Sequence, residues 1–129
     1  MFIIALTDTS TTGENTIEYL TIQHCTVNIQ IAVKNDLTNI SGRLFQCGLI
    51  NATQSEKLTN QNRDVAERAK LVVDFILDKV SLNKENYSKF INEVLGADRT
   101  HYRDIIKCIE KEYGKYTHSS VLRQGYSPK

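Results

Sequence analysis

RDVAERAKLVVDFILDKV, residues 63–80, is the most apolar helical run in the chain, and its reading decides the rest. Val65, Ala69, Val72, Val73, Ile76, Leu77 and Val80 recur at intervals of three and four, which lays one wide apolar stripe along a helix. Glu67, Lys70, Asp74 and Asp78 fall on the opposite side. A stripe that broad cannot be covered by one neighbour. The flanking sequence, from Ile40 to Ile109, must supply partners on several sides.

On the C-terminal side, Tyr87, Phe90, Ile91, Val94 and Leu95 predict a helix from about Lys84 to Leu95, stopped by Gly96. A further helix is capped by Asp98 or Thr100 and turns Tyr102, Ile105, Ile106 and Ile109 inward. On the N-terminal side, Thr53-Gln-Ser-Glu56 has the spacing of a capping box and opens a short helix anchored by Leu58. Before it, a helix from about Asn39 to Cys47 buries Ile40, Leu44 and Phe45 and is closed by Gly48, since glycine accepts a left-handed backbone. Leu49 and Ile50 form an apolar connector that tucks inward. The first helix runs from Thr16 to about Asp36 or Leu37, with Ile17, Leu20, His24, Val27 and Ile31 as its stripe. Its many β-branched residues weaken it. The expected fold is all-α, an antiparallel bundle of five or six helices around one core. It occupies residues 16–113, between a flexible polar arm at 1–15 and a flexible tail or linker at 114–129, where periodicity is lost.

The totals narrow the function. A chain of 129 residues suits one domain with some tail, and a net charge of +1 carries no bulk footprint of a nucleic-acid binder. The one proline is at position 128, so nothing breaks a helix in the body of the chain. Cys25, Cys47 and Cys108 are an odd set without CxxC spacing, which argues against a disulfide framework and fits reduced thiols in the cytoplasm. The apolar run in MFIIALTD is too short for a signal peptide or a membrane span, so no membrane partner is expected.

Chemistry is hard to find. His24 and Cys25 are neighbours on a helix and point about a hundred degrees apart, so they cannot share a metal. His101 and Cys108 lie two turns apart. Gly42, Gly48 and Gly96 are isolated and build no phosphate loop, and there is no HExxH, Walker or GxSxG sequence. No catalytic, metal or cofactor site is expected. The charges say more: Arg63, Arg68 and Lys70 alternate with Asp64, Glu67 and Asp74, and Arg99, Arg103 and Lys107 with Asp104 and Glu110. Single exposed pairs stabilise by only about 0–1 kcal/mol, so a role for these residues must come from complementarity between molecules.

Four pieces, in this order and at these intervals, carry a family resemblance: LFQCGLINATQSEKL, RAKLVVDFIL, NYSKFINEVL and HYRDIIKCI. From about Ile22 to Tyr113 the chain resembles a caspase recruitment domain (CARD) of the death-fold superfamily. The resemblance implies a six-helix antiparallel Greek-key bundle whose first helix is often kinked. It also implies an adaptor without enzymatic activity that binds other CARDs, homotypically or heterotypically, and builds helical oligomers in apoptotic or innate-immune signalling. In the family's commonest contact, basic residues of the first and fourth helices meet acidic residues of the second and third. Arg63, Arg68 and Lys70 match the basic side, and Glu56 is the only acid on the other. The second helix departs from the pattern, with Arg43 and no Asp or Glu. For the family's other contacts the matching positions are Asp78, Lys79, Lys84, Glu85, Asp98 and Arg99, with Glu67 and Asp74 beside them on the outer face. The competing reading is a small helical nucleic-acid binder using Arg99, Arg103, Lys107, Lys111 and Lys115, against which the interleaved acids count.

Overall fold

The computed structural model describes residues 16–125, with side chains to residue 117. Within it the chain forms seven α-helices and no strand. The expected arm, residues 1–15, lies outside the described residues.

The first helical segment is broken. α1 (Ile17–His24) is capped by Thr16, whose Oγ1 accepts from the Tyr19 N–H at 3.1 Å. It ends at Cys25, with φ −96° and ψ 11°, and α2 (Thr26–Val33) follows directly. Threonine hydroxyls explain the break: Thr21 donates to the Ile17 carbonyl at 2.7 Å, and Thr26 to that of Gln23 at 2.7 Å. Such bonds back into the preceding turn bend helices.

The buried face is also different from the expected one. Thr21, Ile22, Cys25, Ile29 and Val33 are inside, while Val27 is 64 % and Ile31 58 % exposed. Both sets step by three and four, so periodicity offered two stripes. Contact with the rest of the bundle selects between them.

α3 (Leu37–Gln46) starts two residues before the expected Asn39 and buries Leu37, Ile40, Ser41 and Leu44. Phe45, expected inside, is 50 % exposed, because Leu49 and Ile50 fill the space beneath this end. They are brought there by Gly48 at φ +82°. The Gly48 N–H donates to Phe45 O at 3.1 Å and the Leu49 N–H to Leu44 O at 2.9 Å, the two bonds of a Schellman closure. A Cβ at Gly48 would meet nothing within 4 Å, so glycine serves the backbone alone. Gly48→Ala is expected to lower stability by about 1–2 kcal/mol, the cost of a left-handed L-residue, measured as a shifted denaturant midpoint at unchanged slope.

The chain reaches Asn51 extended, and α4 (Ala52–Thr59) begins there. The capping box is built by Asn51 and Gln54, in place of the Thr53 and Glu56 expected. Asn51 Oδ1 accepts from the Gln54 N–H at 2.8 Å, and Gln54 Oε1 from the Asn51 N–H at 2.9 Å. Two overlapping boxes were available. The buried Leu49-Ile50 connector delivers the chain to the earlier one. Leu58 anchors α4, and Ser41 and Ser55 hydroxyls meet at 2.8 Å between α3 and α4.

α5 (Val65–Leu82) is the central helix and packs against α1, α2, α3 and α4. Ala69, Val72, Val73, Ile76 and Val80 are buried and Leu77 is half-buried, as the stripe predicted. Val65, in the first turn, stays 39 % exposed. Glu67, Lys70, Asp74 and Asp78 face solvent.

The next helix winds in three ways. α6 (Glu85–Lys89), which also packs on α5, passes into a π-turn over Phe90–Leu95 and then a 3₁₀ turn over Gly96–Asp98. Hydrogen bonds of i→i+5 type bring residues five apart towards one face, and Phe90, Ile91, Val94 and Leu95 are all buried. Gly96 caps the π-turn after Leu95, where the helix was expected to stop, and does so at φ −68° without a left-handed turn. It is needed for closeness: a Cβ there would lie 2.9 Å from the Ile91 carbonyl oxygen.

α7 (Arg103–Gly125) buries Ile105, Ile106 and Ile109 and packs on α1 and α2. The tail expected from residue 114 does not begin there, since the helix continues to Gly125. Tyrosines fasten the extension to the body. Tyr113 stacks on Tyr87 with ring centres 5.1 Å apart and donates to Glu18 Oε2 at 3.0 Å. Tyr116 Oη lies 2.6 Å from His24 Nδ1. Apolar periodicity does not register such amphipathic anchors.

Candidate interaction surface

The residues singled out in the sequence fall into three groups. The first lines the outer face of α5, where Glu67, Lys70, Asp74 and Asp78 are exposed in one row. Asp74 and Asp78, with Tyr19, Leu77 and Ser81, border a shallow cleft of about 240 Å³ between α1 and α5. Glu56 is exposed on α4, and Arg63 and Lys84 are half-buried at the two ends of α5.

The second group is turned inward. Arg68 Nε donates to Arg63 O at 3.2 Å and its Nη1 to Leu58 O at 3.3 Å, so this guanidinium ties the end of α4 to the start of α5. Arg43 Nη1 donates to Val94 O at 3.4 Å and borders a small cleft with Gln46, Cys47 and Glu93. Both groups serve the fold before any partner.

The third group lies before and along α7. Asp98 Oδ1 accepts from the His101 N–H at 3.3 Å, as an acid placed ahead of a helix does. Arg99, Thr100, Arg103, Ile106, Lys107 and Glu110 line an open cleft of about 350 Å³, with three basic residues and one acid on its wall. The structure does not gather the three groups into one patch.

Ion pairing within the molecule is sparse. Among the described residues Lys115 and Glu112 pair at 3.5 Å, and His24 Nδ1 lies 3.8 Å from the same carboxylate, an ion pair only when the imidazole is protonated; both contacts are at the α1–α7 seam. The charges of α5 are therefore not consumed by bridges inside the bundle.

Two features were missed in the sequence. One is an apolar groove of about 360 Å³ between α2 and α7, bordered by Asn28, Ile31, Ala32, Asp104, Ile105 and Cys108. The second stripe of the first helix was its signal. The other is a polar knot at the α2–α3 junction. Asp36 accepts from the Tyr102 hydroxyl at 2.5 Å and from the Asn39 amide at 2.7 Å. Burial works to raise the Asp36 carboxyl, but those two bonds and the nearby His101 and Arg43 outweigh it and hold the group below its usual range.

Among the described residues no group of three or more His, Cys, Asp or Glu side chains is placed to hold a metal ion. No helix among them is long and apolar enough to cross a membrane. Compared with protein-family models, with curated proteins and with solved structures, the chain matches none.

Proposed function

We propose that this chain is a protein-interaction module of the caspase-recruitment type, which binds other such domains or further copies of itself in a six-helix Greek-key arrangement. In that frame α1 and α2 together are the first, kinked helix. The observation that carries the reading is the outer face of α5, whose row of exposed charges has no ion-pair partner within the described bundle. The sequence resemblance and the break at Cys25 support it further. A weak contact repeated around a screw axis lets each added copy touch several neighbours, so assembly is cooperative and open-ended. The adaptor role in apoptotic or innate-immune signalling, and its place in the cytoplasm, belong to the same proposal.

Arg68 is a poor test residue because its guanidinium braces the α4–α5 loop. Lys70 and Glu56 are exposed and free of that duty. The full chain is expected to form concentration-dependent oligomers by light scattering. Lys70→Glu or Glu56→Lys raises the onset concentration by about tenfold, one lost contact of roughly 1.4 kcal/mol, at unchanged melting temperature. The double reversal recovers assembly if these two residues meet across the interface. A chain that stays monomeric at high concentration, in low and moderate salt, overturns self-assembly.

A second reading has one observation in its favour, the cleft shared by Arg99, Arg103 and Lys107. In a nucleic-acid binder those residues would contact phosphates, together with Lys111 and Lys115. Steeply salt-dependent binding of duplex DNA, lost in Arg103→Glu, would establish it.

A further inference from the structure

The α1–α2 break and the groove beside it meet at two sulfurs. Cys25 occupies the break itself, 2 % exposed, within the hydrophobic core. The Cys108 thiol on α7 lies near enough to help push the Cys25 thiol above its ordinary range. Cys108 is half-buried and borders the groove between α2 and α7. Asn28 Nδ2, from the same groove, donates to Cys108 Sγ at 3.3 Å. Asn28 lies one turn beyond Cys25, so this contact sets the Cys108 sulfur against the same end of α2. The groove is wide enough for a small reagent to reach Cys108 without unfolding.

We propose that Cys25 and Cys108 are a redox-modification site, at which a hydroperoxide entering the α2–α7 groove is reduced and the two thiols close into an intramolecular disulfide. The inference does not depend on the adaptor reading. In the first step the Cys108 thiolate attacks the peroxide. A sulfur–oxygen bond forms, the oxygen–oxygen bond breaks, and the departing oxygen takes a proton to leave as water or an alcohol. Sulfur is oxidised to the sulfenic acid. In the second step the Cys25 sulfur, giving up its proton, attacks the sulfenic sulfur. The sulfur–sulfur bond forms and hydroxide leaves, protonated to water. Two thiols lose two electrons and two protons, and one peroxide is reduced.

The roles of the two sulfurs follow from their surroundings. Burial first, then the adjacent Cys108 and Glu112, pushes the Cys25 thiol up to about 12, partly offset by Lys115. Cys25 is therefore protonated and inert until its neighbour has reacted. Cys47 has no such partner. It sits at the end of α3 with its thiol directed at the Leu44 carbonyl, 3.7 Å away, and supplies an internal control.

The bridge would fasten the α1–α2 junction to α7 and close a loop of about eighty residues. In the oxidised chain the melting temperature is expected to rise by roughly 5–15 °C. The test treats the purified full chain with hydrogen peroxide, blocks remaining thiols, digests with trypsin without reduction and reads the peptides by mass spectrometry. The expected product joins the peptide ending at Lys34 to Cys108-Ile-Glu-Lys111 in a chain that remains monomeric on a non-reducing gel. Cys47→Ser keeps this product. Cys108→Ser loses it, and Cys25→Ala leaves Cys108 as a sulfenic acid that dimedone traps. Both variants must keep the helical signal of the parent. Separate blocking of Cys25 and Cys108 after treatment, a bridge through Cys47, a bridge between chains, or over-oxidation of Cys108 without a bridge would each overturn the proposal.

Discussion

Ile76→Ala lowers the stability of the bundle by about 2–5 kcal/mol. Ile76 is fully buried on α5, the helix packed against more of the other elements than any of its neighbours. Truncation removes three methyl or methylene carbons from a site where several helices converge. The void cannot close by moving one neighbour, because each is held by its own contacts with the others. The loss therefore includes both the transfer free energy of the missing carbons and the cavity they leave. Leu77, half-buried on the same helix, is expected to cost less when cut to alanine, and Lys70→Ala to stay within about 0.5 kcal/mol. Denaturant unfolding checks the series. The midpoint should fall in the order Lys70, Leu77, Ile76 while the slope stays constant. An Ile76 variant as stable as the Lys70 variant would remove α5 from the centre of the fold.

Tyr102→Phe costs about 1–3 kcal/mol near neutral pH and flattens the acid limb of the stability curve. Tyr102 is buried, and its hydroxyl reaches the Asp36 carboxylate across the α2–α3 junction. Phenylalanine fills the same volume but leaves that carboxylate with one fewer donor in a half-buried place, and bonds to a charged acceptor are the stronger kind. The pH dependence follows from the direction of the Asp36 shift. Its folded value lies below the ordinary 3.8, so the unfolded chain takes up the proton first. The stabilisation is complete above that ordinary value and is lost as pH falls through the lower, folded one. Melting temperatures between about pH 6 and pH 3 should drop less steeply in the variant than in the parent. Parallel curves would mean that the bond contributes nothing to the linkage.

Much of the helical architecture could be read from residues, and the reasons for each miss are local. The α5 stripe was legible because its opposite face carries only charge, leaving a single way to bury it. The first segment was ambiguous because apolar residues lie on both sides. Val27 and Ile31 fit the period as well as Ile22 and Ile29, and only tertiary contact separates them. Phe45 was misread for a related reason, since hydrophobicity does not reveal that Leu49 and Ile50 already occupy the space. Asn51 and Thr53 each begin a valid capping sequence, and the geometry after Gly48 chooses. The π-turn leaves no trace in a period counted at 3.6. The extension of α7 was hidden because Tyr113 and Tyr116 hold it by ring stacking and hydroxyl contacts. For the surface, charged residues were correctly expected outside along α5. Arg68 and Arg43 were not recognised as braces, because a long cation can turn its head to a nearby carbonyl as readily as to water.

The interruption at Cys25 leaves two pieces of eight residues each, shorter than a helix that persists in water by itself. Their helicity is on loan from α5 and α7. Anything that competes for those two neighbours would release α2 without first having to unwind α1, so the leading edge of the bundle can be given up in instalments while the trunk stays folded.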